Sequence, residues 1–373
     1  MAGLKVAVLA NLKKNAPHFP GMAEDHWADL DSEKTVDALV SAIQAGGHTC
    51  VFHEGNADLV QALRASQPDI CFNICEGHFG DGREAQVPAL LEMLQLPYTG
   101  SKVLTLALAL DKPMTKRVLM WHELPTPAFQ TFESADEPLD DDMLFPLFVK
   151  PSREGTGMGV SAKSIVNTEA ELREQLDLTI NRYKQSALVE HFVAGREVTV
   201  GLVGNIAGIA SRRLPSRFYK SARRDFSEAG LAALKAGGIT FLPPMEPDLA
   251  PYRETEGVYS NRLKTELAEQ VTYLCPAPLE KTQVRELNWL TAAVFRVIGC
   301  RDVSRVDFRL DENDNFKPYV LEVNPLPGLM PGISDLVIEA EAMGVSHTEL
   351  VNMILEAAIL RYGLRSRRTT SIA

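Results

Sequence analysis

The sequence predicts an α/β protein that opens with a parallel sheet flanked by helices. Short β-branched runs alternate with helical periodicities over the first hundred residues, and glycines stand where the helices should end. The 373 residues are 45% hydrophobic and 23% charged, an ordinary globular composition with room for two or three domains. KVAVLA (5–10) reads as a buried strand. Ser32 to Ala45 puts Val36, Leu39, Val40 and Ile43 on one helical face and runs into Gly46–Gly47. TCVFHE (49–54) and DICFNIC (69–75) read as strands separated by a helix around Leu59 to Ala65. Ala89 to Leu94 is helical, and LPYTGS returns as a strand and turn. Alternation of this kind implies a parallel sheet whose ligands gather at the carboxyl ends of its strands, here Ala10–Asn11, Glu54–Gly55 and Cys75 to Gly82.

A second block starts near Lys102. The acidic ESADEPLDDD (133–142) reads as a surface connection, and FPLFVKPS as a strand entering a glycine-rich loop. A third block runs from about Ala194 to Gly363. In it, EVTVGLVGN and NIAGIASRRL read as two strands turning at Gly204–Asn205. Residues 212–257 read as an insertion with a basic cluster and some helix at 226–236, and the end of the chain as a mobile tail.

Charge narrows the partners. With 38 basic against 49 acidic residues the net charge is −11, which disfavours general nucleic-acid or anionic-membrane binding. A small anion such as ATP needs only a local group of lysines. No apolar run reaches the roughly 20 residues of a membrane helix, and the start MAGLKVAVLAN lacks the pattern of a signal peptide, so a cytoplasmic protein is expected. Its five scattered cysteines are then expected to be reduced.

Three constellations carry chemistry. In KPSREGTGMGV (150–160), Gly155, Gly157 and Gly159 let the backbone fold tightly and point N–H groups at an anion, with Lys150 and the Thr156 hydroxyl beside it. A purely structural turn is an equal reading. In RVDFRLDENDNFKPYVLEVNPLPG (305–328), Asp307 and Glu322 fall on neighbouring strands, with Asn324 on the same face as Glu322. These are hard oxygen ligands suited to magnesium. The alternative is simple pairing of the two acids with Arg305 and Arg309. In ALVEHFVAGREVTV (187–200), free backbone after Glu190 can mimic base pairing to adenine and Glu197 can hold a ribose hydroxyl, or both acids are ordinary surface groups.

Taken in order, LDKPMTK, FVKPSREGTGMGV, LVEHFVAGREVTV, RLKTE with YLCPAPL, and RVDFRLD…YVLEVNPLPGLMPG resemble the ATP-grasp superfamily, and within it the D-alanine–D-alanine ligase family. The likeness spans roughly 69–211 and 259–363, and EGHFGDGRE is similar to that family's first domain. The resemblance implies a three-domain ATP-grasp fold: an N-terminal α/β domain at 1–101, a central subdomain at 102–193, and a C-terminal subdomain at 194–363 with the insertion at about 212–257, followed by a tail at 364–373. It implies that Lys112, Lys150 and the Gly155–Thr156–Gly157 loop contact the ATP phosphates. Glu190, the backbone of His191, Phe192 and Val193, and Leu321 hold adenine, and Glu197 holds ribose. Lys264 sits on a loop closing over the γ-phosphate. The resemblance further implies that Asp307, Glu322 and Asn324 bind two Mg²⁺ ions, for which Mn²⁺ can substitute, and that Arg305 steadies the acyl-phosphate and tetrahedral intermediate. By the same resemblance Thr156, Lys264 and Arg305 would form the catalytic set, while His78, Thr265, Gly328 and Ser334 would face the substrates. A homodimer is also implied.

Departures from the family fall on the amino-acid sites. The first loop is ANLKKNAPHFPGMAEDHWADLDSEK, a family serine is Thr156, a family tyrosine is Thr265, and Ile333 takes the place of a carboxylate-binding serine, with Ser334 next to it. The reaction read from this set is ATP-dependent ligation of an amino acid or small carboxylic acid to an amine or amino acid. A true D-alanine–D-alanine ligase is the alternative within the class. A non-catalytic ATP-binding regulator is the alternative outside it, and it would have eroded Asp307, Glu322, Asn324 or Arg305, all of which are present.

Overall fold

The computed structural model describes residues 3–206, 228–252, 258–267 and 270–364. At the N-terminal end, β1 (Lys5–Ala10) lies between β2 (Thr49–Glu54) and β3 (Ile70–Asn73), both parallel to it. Successive side chains of a strand point to opposite faces. Val6, Val8 and Ala10 therefore share a core with α1 (Glu33–Ala45), while Ala7 and Leu9 pack with α2 (Leu59–Ser66) and α3 (Gln86–Met93). Cover on both faces is why β1 is an unbroken apolar run. Helix α1 is capped by Ser32, whose hydroxyl accepts from the Thr35 N–H, and stops at Gly46, followed by Gly47 at φ +85°. Two expectations need correction. Strand β3 ends at Asn73: the Ile74 N–H still donates to Leu9 O at 2.9 Å, but the Cys75 N–H turns back to Asn73 Oδ1 at 3.3 Å and leaves the ladder. LPYTGS adds only a single bridge, Tyr98 with Cys71.

Helices α4 (Val103–Leu110) and α5 (Lys112–Trp121) lead into the second block, with Asp111 capping α5 at the Met114 N–H. Its antiparallel sheet contains β4 (Phe129–Phe132), β5 (Leu147–Pro151), β6 (Ile165–Val166) and β7 (Ala187–His191), in the order β4-β7-β5-β6. Leu172 and Leu176 of α6 (Glu169–Tyr183) cover it, packed on Leu147 and Val149.

The third block comprises β8 (Gly195–Gly204), α7 (Glu228–Ala236), β9 (Ile239–Phe241), β10 (Glu246–Pro247), α8 (Asn261–Thr265), β11 (Tyr273–Leu274), α9 (Lys281–Ile298), β12 (Val303–Asp311) and β13 (Lys317–Asn324). Its main sheet runs β13-β12-β8-β9, all antiparallel, with Leu287, Leu290, Val294 and Phe295 of α9 packed in its core. The expected hairpin at Gly204–Asn205 is displaced. Val203 already pairs with Val303 on one side and Thr240 on the other, so neither edge of β8 is open there. Residues 207–214 of that expected second strand lie outside the described residues. Within 212–257 the described part, 228–252, supplies α7 and edge strand β9, so it belongs to the sheet and is more than an excursion from it.

Helices α10 (Asp335–Ala342) and α11 (His347–Tyr362) end the fold. Leu350, Val351, Ile354 and Leu355 of α11 bury themselves in the core that holds Val6 and Val8, and Asn352 Nδ2 donates to Ala42 O at 2.8 Å. Leu364, placed by the sequence reading in a mobile tail, is buried in the same core, and 365–373 lie outside the described residues. No helix among the described residues is long and apolar enough to cross a membrane, and all five cysteines are free.

Fully buried Asp302 ties the blocks together. It accepts from the Gly100 N–H at 2.9 Å, Asn205 Nδ2 at 2.7 Å and Arg361 Nε at 3.0 Å. Asp302→Ala leaves Arg361 without its counter-charge and should destabilise the chain by about 3–5 kcal/mol in urea unfolding. A loss below about 1 kcal/mol would show that the tie contributes little.

Candidate active site

The sheets of the second and third blocks enclose a narrow slot of about 90 Å³. Its walls come from β5, β7 and the linker after β7 on one side, and from β8, β12 and β13 on the other. Phe148 and Phe192 stack with ring centroids 6.3 Å apart, and Val193 and Leu321 add apolar surface. At the inner end, Glu190 is clamped between two buried lysines, 2.8 Å from Lys150 Nζ and 2.8 Å from Lys116 Nζ. Burial alone would raise the Glu190 carboxyl, but the two ammonium groups outweigh it and hold the group at about 2. Burial pushes Lys116 down to about 8, with Glu190 offsetting part of the effect. Burial also opposes the charge on Lys150, yet Glu190 raises it overall.

The sequence reading missed Lys116, although LDKPMTK puts it one helical turn beyond Lys112. It also left Arg309 as a partner for the acidic pair. Strand register instead sets Arg309 opposite Glu197, with Nη1 2.9 Å from that carboxylate, Nε 3.0 Å from Val193 O, and the guanidinium 5.3 Å from the Phe192 ring centroid. Burial raises the Glu197 carboxyl in spite of Arg309. His191 lines the slot and accepts the Leu144 N–H at Nε2.

Glu322 lies at the boundary between this slot and a larger cavity of about 580 Å³, lining both. Across β12 and β13, Asp307 faces Glu322 and Arg305 faces Asn324, with a bulge just after Asp307. Both Asp307 oxygens are occupied. Oδ1 accepts from Arg305 Nε at 2.8 Å and Thr199 Oγ1 at 2.7 Å, and Oδ2 accepts from Arg305 Nη2 at 2.9 Å and Asn324 Nδ2 at 3.0 Å. Burial would raise this carboxyl, but Arg305 takes it well below the usual range. Arg305 Nη1 reaches Asp335 at 3.2 Å, a partner the sequence reading did not single out. Lys112 donates to Glu154 O and lies 3.8 Å from Glu322.

The glycine-rich loop closes one side of the cavity. Thr156 takes φ +50°, uncommon for a residue with a side chain, and Gly157 follows at +67°. A Cβ at 157 would stand 3.0 Å from the Asn261 backbone nitrogen, so glycine permits the close approach of α8. Asn261 Nδ2 donates to Thr156 O at 2.8 Å, and Asp25 accepts the Gly159 N–H at 3.0 Å. Lys264 stacks over Tyr259 at 4.6 Å and lines both spaces.

Gly328, Ile333 and Ser334 line the far wall, where the Ser334 hydroxyl accepts the Met330 N–H at 2.9 Å. His78 is not among the lining residues. Its ring stands edge-on to Trp27 at 5.4 Å, and its Nε2 has no hydrogen-bond partner among the described residues. Thr265 closes α8, and its side chain lies outside the description.

The profile of the D-ala D-ala ligase C-terminus matches residues 118–234 and 248–356, more than half of the chain. The chain belongs to the D-alanine–D-alanine ligase family. Relatives in that family include a D-alanine–D-alanine ligase of Syntrophotalea carbinolica, 32% identical over 94% of this chain and 97% of its own. Another, from Pelotomaculum thermopropionicum, is 30% identical over 90% and 94%. The uncharacterized protein y4sG of Sinorhizobium fredii is 33% identical over 88% of each chain. In three dimensions, the D-alanine–D-alanine ligase from Bacillus anthracis complexed with ATP superposes with a TM-score of 0.66 at 20% identity, covering 98% of this chain and 99% of that one, which shows the shared ATP-grasp fold. As a member of the family this protein is an ATP-dependent ligase that joins a carboxylate to an amine through a C–N bond, acting on small molecules.

The Glu190 clamp sets a pH dependence. A carboxyl held at about 2 in place of its ordinary 4.5 contributes stability that is complete above about 4.5 and is lost as the pH falls toward 2. Glu190→Gln leaves two buried ammonium groups without their counter-charge and should cost about 3–5 kcal/mol near neutrality. In denaturant titrations at stepped pH, the gap between the two proteins should narrow steadily between pH 4.5 and 2. A gap that stays constant over that window would refute the clamp.

Proposed function

We propose that the slot takes the adenosine of ATP and that the reaction occurs where it meets the larger cavity, by way of an acyl-phosphate. The observation that carries this reading is the meeting of Asp307, Glu322, Asn324, Lys112 and Arg305 at that boundary. Glu190, the backbone of His191 to Val193, and Leu321 hold the base. Glu197 holds the ribose. Lys150, Lys112 and the loop Gly155–Gly157 hold the phosphates, with Lys264 closing over them. The three-domain division fits this reading, since β7 ends at His191 and β8 begins at Gly195.

Two carboxylates and an amide are hard oxygen donors, and among the described residues no group of three or more His, Cys, Asp or Glu side chains could hold a metal ion. Asp307, Glu322 and Asn324 would fill only part of a Mg²⁺ shell, so phosphate oxygens and water would have to supply the rest. Bound there, Mg²⁺ neutralises polyphosphate charge. All four acceptor positions of Asp307 are used in this structure, so holding a cation there would need one of its donors, from Arg305, Thr199 or Asn324, to give way.

A carboxylate is a poor acyl donor because its leaving group is oxide. Its oxygen attacks the γ-phosphorus and ADP departs with the cleaved bond's electrons. A neutral amine then adds to the acyl carbonyl, the C–O bond to phosphate breaks, and the amine loses a proton. Lys112 and Lys264 offset the migrating phosphoryl charge, and Arg305 steadies the negative carbonyl oxygen of the adduct. Gly328 and Ser334 stand at the acceptor wall. The relatives' names point to D-alanine, whereas Ile333 presents no hydroxyl for an acceptor carboxylate and the neighbouring Ser334 hydroxyl already accepts the Met330 N–H, so amines that carry no carboxylate belong among the acceptors tested.

Phosphate release from ATP and magnesium, with D- and L-amino acids and amines offered singly and in pairs and the product masses read alongside, tests this directly. Glu322→Ala should abolish release. Arg305→Ala should lower it by about 100-fold or more while ATP binding persists. Full release in Glu322→Ala would remove the metal assignment, and lost ATP binding in Arg305→Ala would remove its transition-state role.

A further inference from the structure

The fold buries Glu339 completely and gives its carboxyl nothing to bond. Neither oxygen has a hydrogen-bond partner among the described residues. The Gly201 backbone N–H is near enough to favour the charged form, yet lies outside hydrogen-bond distance. Apolar groups crowd the same spot. The space that a Cβ on Gly201 would take is already shared by Glu339 Oε2 and the side chains of Leu336 and Leu242. A buried polar group left in this way lowers stability. A leucine at 339 would fill the space without that cost.

Two independent features put this carboxyl beside Arg305. On α10, Glu339 follows Asp335 by four residues, so both side chains leave the same face of the helix, and Asp335 lies 3.2 Å from Arg305 Nη1. On the sheet, Gly201 stands directly opposite Arg305, and such a pair directs its side chains to one face with Cβ positions about 5 Å apart. Glu339 Oε2 takes the place of the side chain that Gly201 lacks. Arg305 itself is engaged elsewhere, giving Nε and Nη2 to Asp307 and Nη1 to Asp335. Burial raises the Glu339 carboxyl well above its ordinary value, although the charge of Arg305 opposes the rise. Helix α10 thus turns two acids toward one guanidinium, and only the first of them is bonded to it.

The second acid matters if Asp307 has to hold a cation. Of the groups that donate to Asp307, Thr199 and Asn324 are neutral and Arg305 is charged, so a cation there repels Arg305 above the others. A guanidinium carries only donors, and those withdrawn from Asp307 need new acceptors. We propose that Glu339 is a positioning residue for Arg305. It receives the guanidinium as Asp307 passes to magnesium, while Asp335 keeps its hold on Nη1. A carboxyl oxygen can accept from the guanidinium whether or not it keeps its own proton. This rests on the ligase reading above, in which Asp307 is a metal ligand, and adds to it a residue that acts through Arg305.

Calorimetry on the full chain measures how much Mg²⁺ tightens the binding of a non-hydrolysable ATP analogue. The proteins compared are the unaltered chain, Glu339→Leu, Glu339→Gln, and each of these with Arg305→Ala added. The tightening should shrink by about five-fold or more in Glu339→Leu, and by less in Glu339→Gln, which keeps one acceptor oxygen. Affinity without Mg²⁺ should stay within about two-fold of the unaltered chain. Once Arg305 is gone, the same substitutions at 339 should change the tightening by less than about two-fold. Thermal unfolding should find Glu339→Leu at least as stable as the unaltered chain, since a partnerless buried carboxyl has been removed. If leucine does not fit, the glutamine variant carries the test. Tightening that is unchanged in both variants overturns the inference, as does a loss equally large without Arg305. Phosphate release with the panel of donors and acceptors tests the ligase reading separately. Amide formation together with a magnesium effect indifferent to Glu339 sustains that reading and defeats this inference. A magnesium effect that needs both Glu339 and Arg305, with no amide formed from any pair, defeats the ligase reading and sustains this inference. No magnesium effect in the unaltered chain defeats the metal role of Asp307 and this inference together.

Discussion

Glu190, held between Lys116 and Lys150, fixes the relative positions of three elements, because those residues lie on β7, α5 and β5. A buried ion triad adds little net stability once its desolvation is counted. Its consequence here is positional. Helix α5 carries Lys112 one turn before Lys116, so the clamp that holds Lys116 also sets where Lys112 emerges near Glu322. On β5, Lys150 stands just before the glycine-rich loop, so the same contact anchors the start of that loop. The slot, the lysine at the reacting centre and the loop above it all depend on one carboxylate whose surroundings keep it ionised.

The reacting centre follows a second constraint, the register of β12 against β13. Antiparallel pairing puts Asp307 opposite Glu322 and Arg305 opposite Asn324, which gathers four functional side chains with no loop involved. Groups on paired strands are pre-positioned, which electrostatic catalysis requires. The compensation inside this centre is tight. Arg305 bridges Asp307 and Asp335 while Lys112 stands near Glu322, so each acid of the centre already has a cation near it before any nucleotide arrives.

Much of this was legible in the sequence, for physical reasons that vary along the chain. β1 and β2 have the bounds their apolar runs suggest, and α1 begins just after Ser32, because each signal is local. The Asp307–Glu322 pairing was legible because a two-residue period over two strands and a short turn leaves few registers. The hairpin at Gly204 failed because pairing is a competition: β9 and β12 take both edges of β8, and β12 lies about a hundred residues away in sequence. Lys116 was hidden because a lysine in an amphipathic helix ordinarily faces water. The acids that the N-terminal block brings to the larger cavity were hidden because no single one differs from a solvated surface acid. Only the fold brings Asp29 and Asp31 to the same cavity as Glu76 and Glu84, some fifty residues later. His78, named from family likeness, packs on Trp27 outside the lining, which a motif alone cannot reveal.

The way the three blocks adhere to one another also differs. One continuous apolar core joins β1 and α1 to α10 and α11, so the first and third blocks are fused as an anvil. The central block meets the first through Arg83 with Glu154, Asp25 with Gly159 and Tyr183, and a small apolar patch of Ala23, Met158 and Tyr183. Contacts of that kind are fewer and weaker than a continuous apolar core, although Arg83 and Glu154 are largely buried and so little screened by salt. The cavity wall that carries Glu76 and Glu84 therefore belongs to that fused body, whereas the glycine-rich loop belongs to the block held to the first by those few contacts.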